Sequence, residues 1–130
     1  MTKGAKNIVL VCCIVLMLIV FLEFLCMELL LFEVLPHVGI LFHLGGGIAV
    51  GIGIYYLFLS HLSGLPWYVK VCFIVGFVGL AAIGWEGFEW VISIFKNNNL
   101  QGSLNNTMED LYVGVLGGCL AAGWVVFKEL

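Results

Sequence analysis

A chain of 130 residues that is 63% hydrophobic and only 10% charged is a poor fit to a soluble domain, which is about half apolar and about a quarter charged. Its mean hydropathy of +1.19 points the same way. The net charge of -3, with five scattered lysines and no basic patch, leaves no footprint for nucleic acid.

The length suits a single unit, residues 1–130. A membrane-crossing helix needs about 20 mostly apolar residues. Four stretches qualify, so the expected fold is an all-α integral membrane bundle of four transmembrane helices. The first is predicted over residues 7–32. It begins like a signal peptide, with Lys3 and Lys6 before an apolar run. The run is too long for one, and no small-residue cleavage site follows, so a retained helix is expected. Pro36 is expected to end it. The first helix has almost no small residues and is expected to face lipid or a second copy of the chain in a homodimer.

The second helix is predicted over 38–60. The turn signal "SGLPW" with Pro66 separates it from the third, over 68–95. The stretch "KNNNLQGSLNNT", within a polar loop expected over 96–108, leads to the fourth helix over 109–127. With four spans, Lys3, Lys6, Lys70 and Lys128 fall on one side and Lys96 alone on the other. The bias of lysine toward the cytoplasm predicts a multi-pass cell-membrane protein with both termini inside and the Asn-rich loop outside.

The titratable groups concentrate in the outer half. Glu28 and Glu33 lie toward the outer end of the first helix, and His37 is in the outer turn. His43 comes early in the second helix, Glu86 and Glu89 late in the third, and Glu109 and Asp110 open the fourth. Glu28, Glu33 and Glu109 are expected to reach the interface from terminal turns. Small residues let membrane helices approach closely. The series Gly39, His43, Gly47, Gly51 and the series Asp110, Gly114, Gly118, Ala122 each form one stripe. Gly79, Ala82, Glu86 and Glu89 form a third. On each helix a polar residue continues the small-residue stripe, which predicts His43, Glu86, Glu89 and Asp110 facing one interior site.

Two carboxylates on one helical face inside a bilayer, with no Arg or Lys near in sequence, require protons, a metal or His⁺ as partner. Imidazole plus carboxylates suits a divalent metal such as zinc, manganese or iron. Helix bundles build such sites from i, i+3 pairs. Asn106 and Thr107 join Asp110 either as further ligand-binding groups or as a helix-start cluster. A polar pocket for a lipid or lipid-linked headgroup fits the same residues. The five cysteines lie in apolar runs without zinc spacing and are read as packing residues. No nucleophile or phosphate-binding motif is present. Trp67 and Tyr68 look like an interface belt.

The segment "WEGFEW", the loop after it, and "NNTMEDLYVGVLGG" resemble the small bacterial membrane proteins typified by YjdF, and more loosely the VanZ-like proteins. The resemblance covers roughly residues 42–122. It implies an intramembrane Trp-Glu-x-x-Glu segment, an acidic start to a glycine-rich last helix, and a histidine such as that of "FHLGGG". Asn106 stands where the first acidic residue of the last-helix pair is expected, while Thr107 and Asp110 match.

Two other functional classes remain open on the sequence. A proton-coupled transporter resembling the small multidrug resistance exporters would use the mid-membrane Glu23, and the deciding observation is whether Glu23 faces the bundle or dimer interior. A structural or assembly subunit would use the same glycine stripes without chemistry.

Overall fold

The computed structural model describes residues 1–29, 31–35, 37–96 and 103–129. Helix α1 runs Lys3–Glu28, α2 is the short Leu31–Val34, and α3 is Val38–Leu57. A one-turn helix α4, Leu59–Leu62, follows. Then come the long α5, Trp67–Lys96, and α6, Leu104–Glu129. Helices α1, α3, α5 and α6 are long and apolar enough to cross a membrane. Strands are absent among the described residues.

The boundaries have local causes. Thr2 caps α1, its hydroxyl accepting from the Ala5 N–H at 3.2 Å. The first helix stops at Glu28, short of the expected residue 32, and α2 resumes at Leu31. Pro36, expected to end the first helix, lies outside the described residues, as do residues 97–102 of the expected polar loop. Gly64 turns the chain at φ 88°, a conformation that favours glycine, and α5 starts directly after Pro66. The fourth helix begins five residues earlier than expected, at Leu104. Its first turn is closed by Ser103, whose hydroxyl accepts from Asn106 N–H at 3.3 Å and whose carbonyl accepts from Thr107 N–H at 3.1 Å. Ser103 therefore takes the capping role that one of the two readings gave to Asn106 and Thr107, and those two residues lie inside the helix.

Packing centres on α3 and α6. A Cβ at Gly47 would collide with the Gly114 carbonyl, and one at Gly117 would collide with the Leu44 carbonyl. The two backbones are thus in direct contact, which only hydrogen side chains permit. The interface continues to Gly51, where a Cβ would meet that of Ala121 at 2.6 Å. The contact of α5 with α6 works differently. The buried stripe of α5 runs through Ile74 and Val78, not through Gly79, which is half-buried. The glycine here belongs to α6: a Cβ at Gly118 would sit 2.9 Å from that of Val78. A branched side chain from one helix fills the gap left by the other. Helix α1 leans on α3 through Ala5, Cys12, Glu23 and Cys26 and touches α5 little.

At the end carrying the termini, the buried Lys70 ammonium and the Tyr55 hydroxyl both donate to the Glu129 carboxylate. Lys128 donates to the Tyr56 hydroxyl at 3.0 Å and lies 4.9 Å from the Trp124 ring centre. This network ties the end of α6 to α3 and α5.

Candidate functional site

At the opposite end of the bundle, all four long helices contribute an ionisable side chain to one cluster. His43 is the sixth residue of α3, where the glycine stripe turns it toward the axis. Its Nε2 lies 3.6 Å from Asp110 Oδ1 of α6 and 3.7 Å from Glu23 Oε1 of α1, and its Nδ1 lies 4.0 Å from Glu86 Oε1 of α5. Glu89, one turn beyond Glu86, completes the group. Glu23, Glu86, Glu89 and Asp110 are each 5–8% exposed.

These groups form two overlapping triads, Glu23–His43–Glu89 and His43–Glu86–Asp110. In each, one donor atom per residue lies within 4.8 Å of the others. That compactness is what a single ion needs, since its ligands sit about 2.0–2.6 Å from it.

The partners of the carboxylates differ. Glu89 accepts from the Trp85 ring N–H at 2.9 Å, an i, i+4 contact along α5. Asp110 accepts from the Asn106 side-chain amide at 2.6 Å, the same spacing along α6. Glu86 has neither kind of support. Both of its oxygens are sealed from solvent, and neither accepts a hydrogen bond from a described residue. Thr107 is beside it without forming one. Leaving a buried carboxylate unmatched is costly, and such groups are rare enough in folded proteins to ask for an explanation.

His43, Glu86, Glu89 and Asp110, singled out from sequence, are therefore brought together, with Asn106 hydrogen-bonded to Asp110 and Thr107 half-buried at the edge. His37 is exposed at the start of α3 and stays apart from the cluster. Glu28 and Glu109 are exposed, and the Glu33 side chain lies outside the described residues. The sequence reading held Glu23 apart, as a transporter residue. It faces the bundle interior and belongs to the cluster. A signal was available: Cys12, Glu23 and Cys26 are spaced by 11 and 3 residues, which places them on one helical face. Reading the cysteines as packing residues implies that Glu23 packs with them. Trp85 also belongs to the site, since its N–H supports Glu89.

Below the cluster lies a cavity of about 300 Å³ bounded by α1, α3, α5 and one residue of α6. Glu23, His43 and Trp85 form its polar end, and Leu16, Val50 and Val78 its apolar end.

No curated protein and no solved structure matches the chain. Over residues 7–129 it matches the family described as "Predicted membrane protein (DUF2238)". With nearly its whole length covered, and four apolar helices carrying the "WEGFEW" segment and the glycine-rich last helix, the chain belongs to that family of membrane proteins.

Proposed function

We propose that this protein binds a divalent metal ion within the outer half of the bilayer, through His43, Glu86 and Asp110. The observation that carries this reading is Glu86. A carboxylate with both oxygens buried and no hydrogen bond, 4.0 Å from an imidazole nitrogen, is what remains when a ligand set lacks its ion. Among the described residues, the cluster contains no Lys or Arg that could neutralise it instead. The neighbouring hydrogen bonds fit the same role. Trp85 and Asn106 each occupy one oxygen of a carboxylate and fix its orientation, as outer-sphere groups do around metals. One nitrogen and two oxygens suit manganese, iron or zinc, and three protein ligands leave coordination positions for water or a polar headgroup. In this reading the site faces the outer side of the cell membrane and both termini are cytoplasmic.

The test is elemental mass spectrometry of the purified protein beside Glu86→Gln and Asp110→Asn variants that keep the parent's helical circular dichroism. Stoichiometric metal in the parent, lost in both variants, is expected. Equal metal in all three would remove the reading.

The transporter alternative is favoured by one observation, the interior position of Glu23. Against it stands the close approach of Glu23 to His43 of the same chain, which gives it a partner without a second copy.

A further inference from the structure

The cavity beneath the cluster has a shape and a charge that define a ligand class. It spans Leu16 to Glu23 on α1, Phe42 to Val50 on α3, and Val78 to Trp85 on α5. Each span covers about seven to eight helical steps, about 10–12 Å at the helical rise of about 1.5 Å per residue. The cavity is therefore a slot parallel to the helices and to the membrane normal. Its volume of about 300 Å³ is at the lower end of the range for small-molecule sites. One end is aliphatic. The other presents a carboxylate, an imidazole and an indole.

The slot lies along the seam between α1 and α5. Helix α1 is held mainly by α3, so this seam is weakly closed along the slot. At the cluster end it is bridged by Phe24 and Phe88, whose rings meet edge to face at 6.4 Å. A ligand dissolved in the bilayer could reach the slot sideways, without crossing the polar layer.

The head of that ligand follows from charge. Of the carboxylates in the cluster, Glu23 is the one that lines the slot, while Glu86, Glu89 and Asp110 do not. Among the described residues, no Lys or Arg lines it. Trp85 lines the same end, and an indole attracts cations. An anionic headgroup would find no positive partner here and would face Glu23 in low dielectric. We infer that the slot binds an amphipathic cation, an alkyl chain ending in an amine or quaternary ammonium, with its head against Glu23 and Trp85 and its chain between α1, α3 and α5.

This does not rest on the metal reading, because the triad of His43, Glu86 and Asp110 shares only His43 with the slot. The probe is octyltrimethylammonium, with octyl sulfate as the anion of the same chain. Retention by the full chain in nonionic detergent is measured by native mass spectrometry, and metal content is measured on the same samples. The cation should be held at least about tenfold more tightly than the anion, a difference of about 1.4 kcal/mol. Gly46 lines the slot and a Cβ there would meet nothing within 4 Å, so Gly46→Leu adds bulk at the slot from an open position. That variant should lose cation binding and keep its metal content unchanged. Glu23→Gln, nearly the same size, should lower cation binding at least about tenfold and serves alone if Gly46→Leu does not fold. Equal retention of cation and anion, or cation binding untouched by both variants, would overturn the inference. Loss of metal in Glu86→Gln with cation binding intact would support the slot independently.

Discussion

His43 Nε2 stands between two carboxylates from different helices, Asp110 Oδ1 at 3.6 Å and Glu23 Oε1 at 3.7 Å. An imidazole nitrogen carries at most one proton, so it can donate to only one of them at a time. The two carboxylates therefore compete for the same donor, and α1 and α6 are coupled through a side chain of α3. An ion between these groups would end the competition by attracting both.

That sharing predicts non-additivity. In a double-mutant cycle of Glu23→Gln and Asp110→Asn, followed by unfolding in mixed micelles with a chelator present, a coupling energy of about 0.5–3 kcal/mol is expected, the range for residues in one network. Additivity to within about 0.3 kcal/mol would mean that His43 does not link them.

Glu86 predicts a trade between stability and binding. Its carboxylate is buried with both oxygens unbonded. Replacing an unmatched buried polar group by an apolar one of similar shape removes its desolvation cost. Glu86→Leu should thus raise the stability of the metal-free protein by about 1–3 kcal/mol and abolish metal binding. Unfolding midpoints measured with chelator check the first part, and elemental analysis the second. A variant less stable than the parent under chelation would indicate that Glu86 has a partner in the folded state.

The α3–α6 contact predicts a sharp difference between glycines of the same chain. Gly47→Ala and Gly117→Ala would drive a methyl group into an opposing carbonyl. Overpacking of this kind costs about 1–3 kcal/mol, and here the helices must separate near His43, so metal binding should weaken as well. Gly76→Ala and Gly123→Ala meet nothing within 4 Å. They should be neutral or stabilising by up to about 1 kcal/mol, the helix-propensity gain over glycine. Equal losses at all four positions would contradict the close approach of these two helices.

Much of this architecture was legible because the bilayer constrains it. Apolar runs of spanning length marked all four long helices, and the stripe through Gly47 and Gly51 correctly marked the face of α3 that meets α6. The same reasoning misplaced the contact on α5. There Gly79 and Val78 are adjacent in the helix, and which one points inward depends on what α6 supplies. Since α6 supplies Gly118, α5 supplies the branched Val78. Small-residue spacing on one helix cannot register that complementarity. Glu23 was set apart because α1 has few small residues by which to orient it. Its interior face is marked by Cys12 and Cys26, polarisable side chains that suggest no particular face when each is considered alone. The beginning of α6 was set too late because Asn106 and Thr107 are good capping residues. Ser103 is another, and it closes the turn three residues earlier.

The terminal network bears on the orientation of the chain in the membrane. Lysine bias predicts that the end with Lys3, Lys6, Lys70 and Lys128 lies in the cytoplasm. Lys70 is buried and donates to Glu129 in the folded protein, so part of its charge is offset there. Orientation is decided during insertion, however, before α5 and α6 have packed, and acidic residues contribute little to it. Lys70 therefore counts fully, and the bias stands. Lys128 fits an interfacial position, its ammonium placed over Trp124 and its stem along the helix end. In a background with the five cysteines replaced, a cysteine at the exposed Ser103 should react in intact cells with a membrane-impermeant maleimide. A cysteine at the exposed Lys3 should react only after permeabilisation. The reverse pattern would turn the bundle over, place the carboxylate cluster in the cytoplasmic half, and make the metal available to it the cytoplasmic pool.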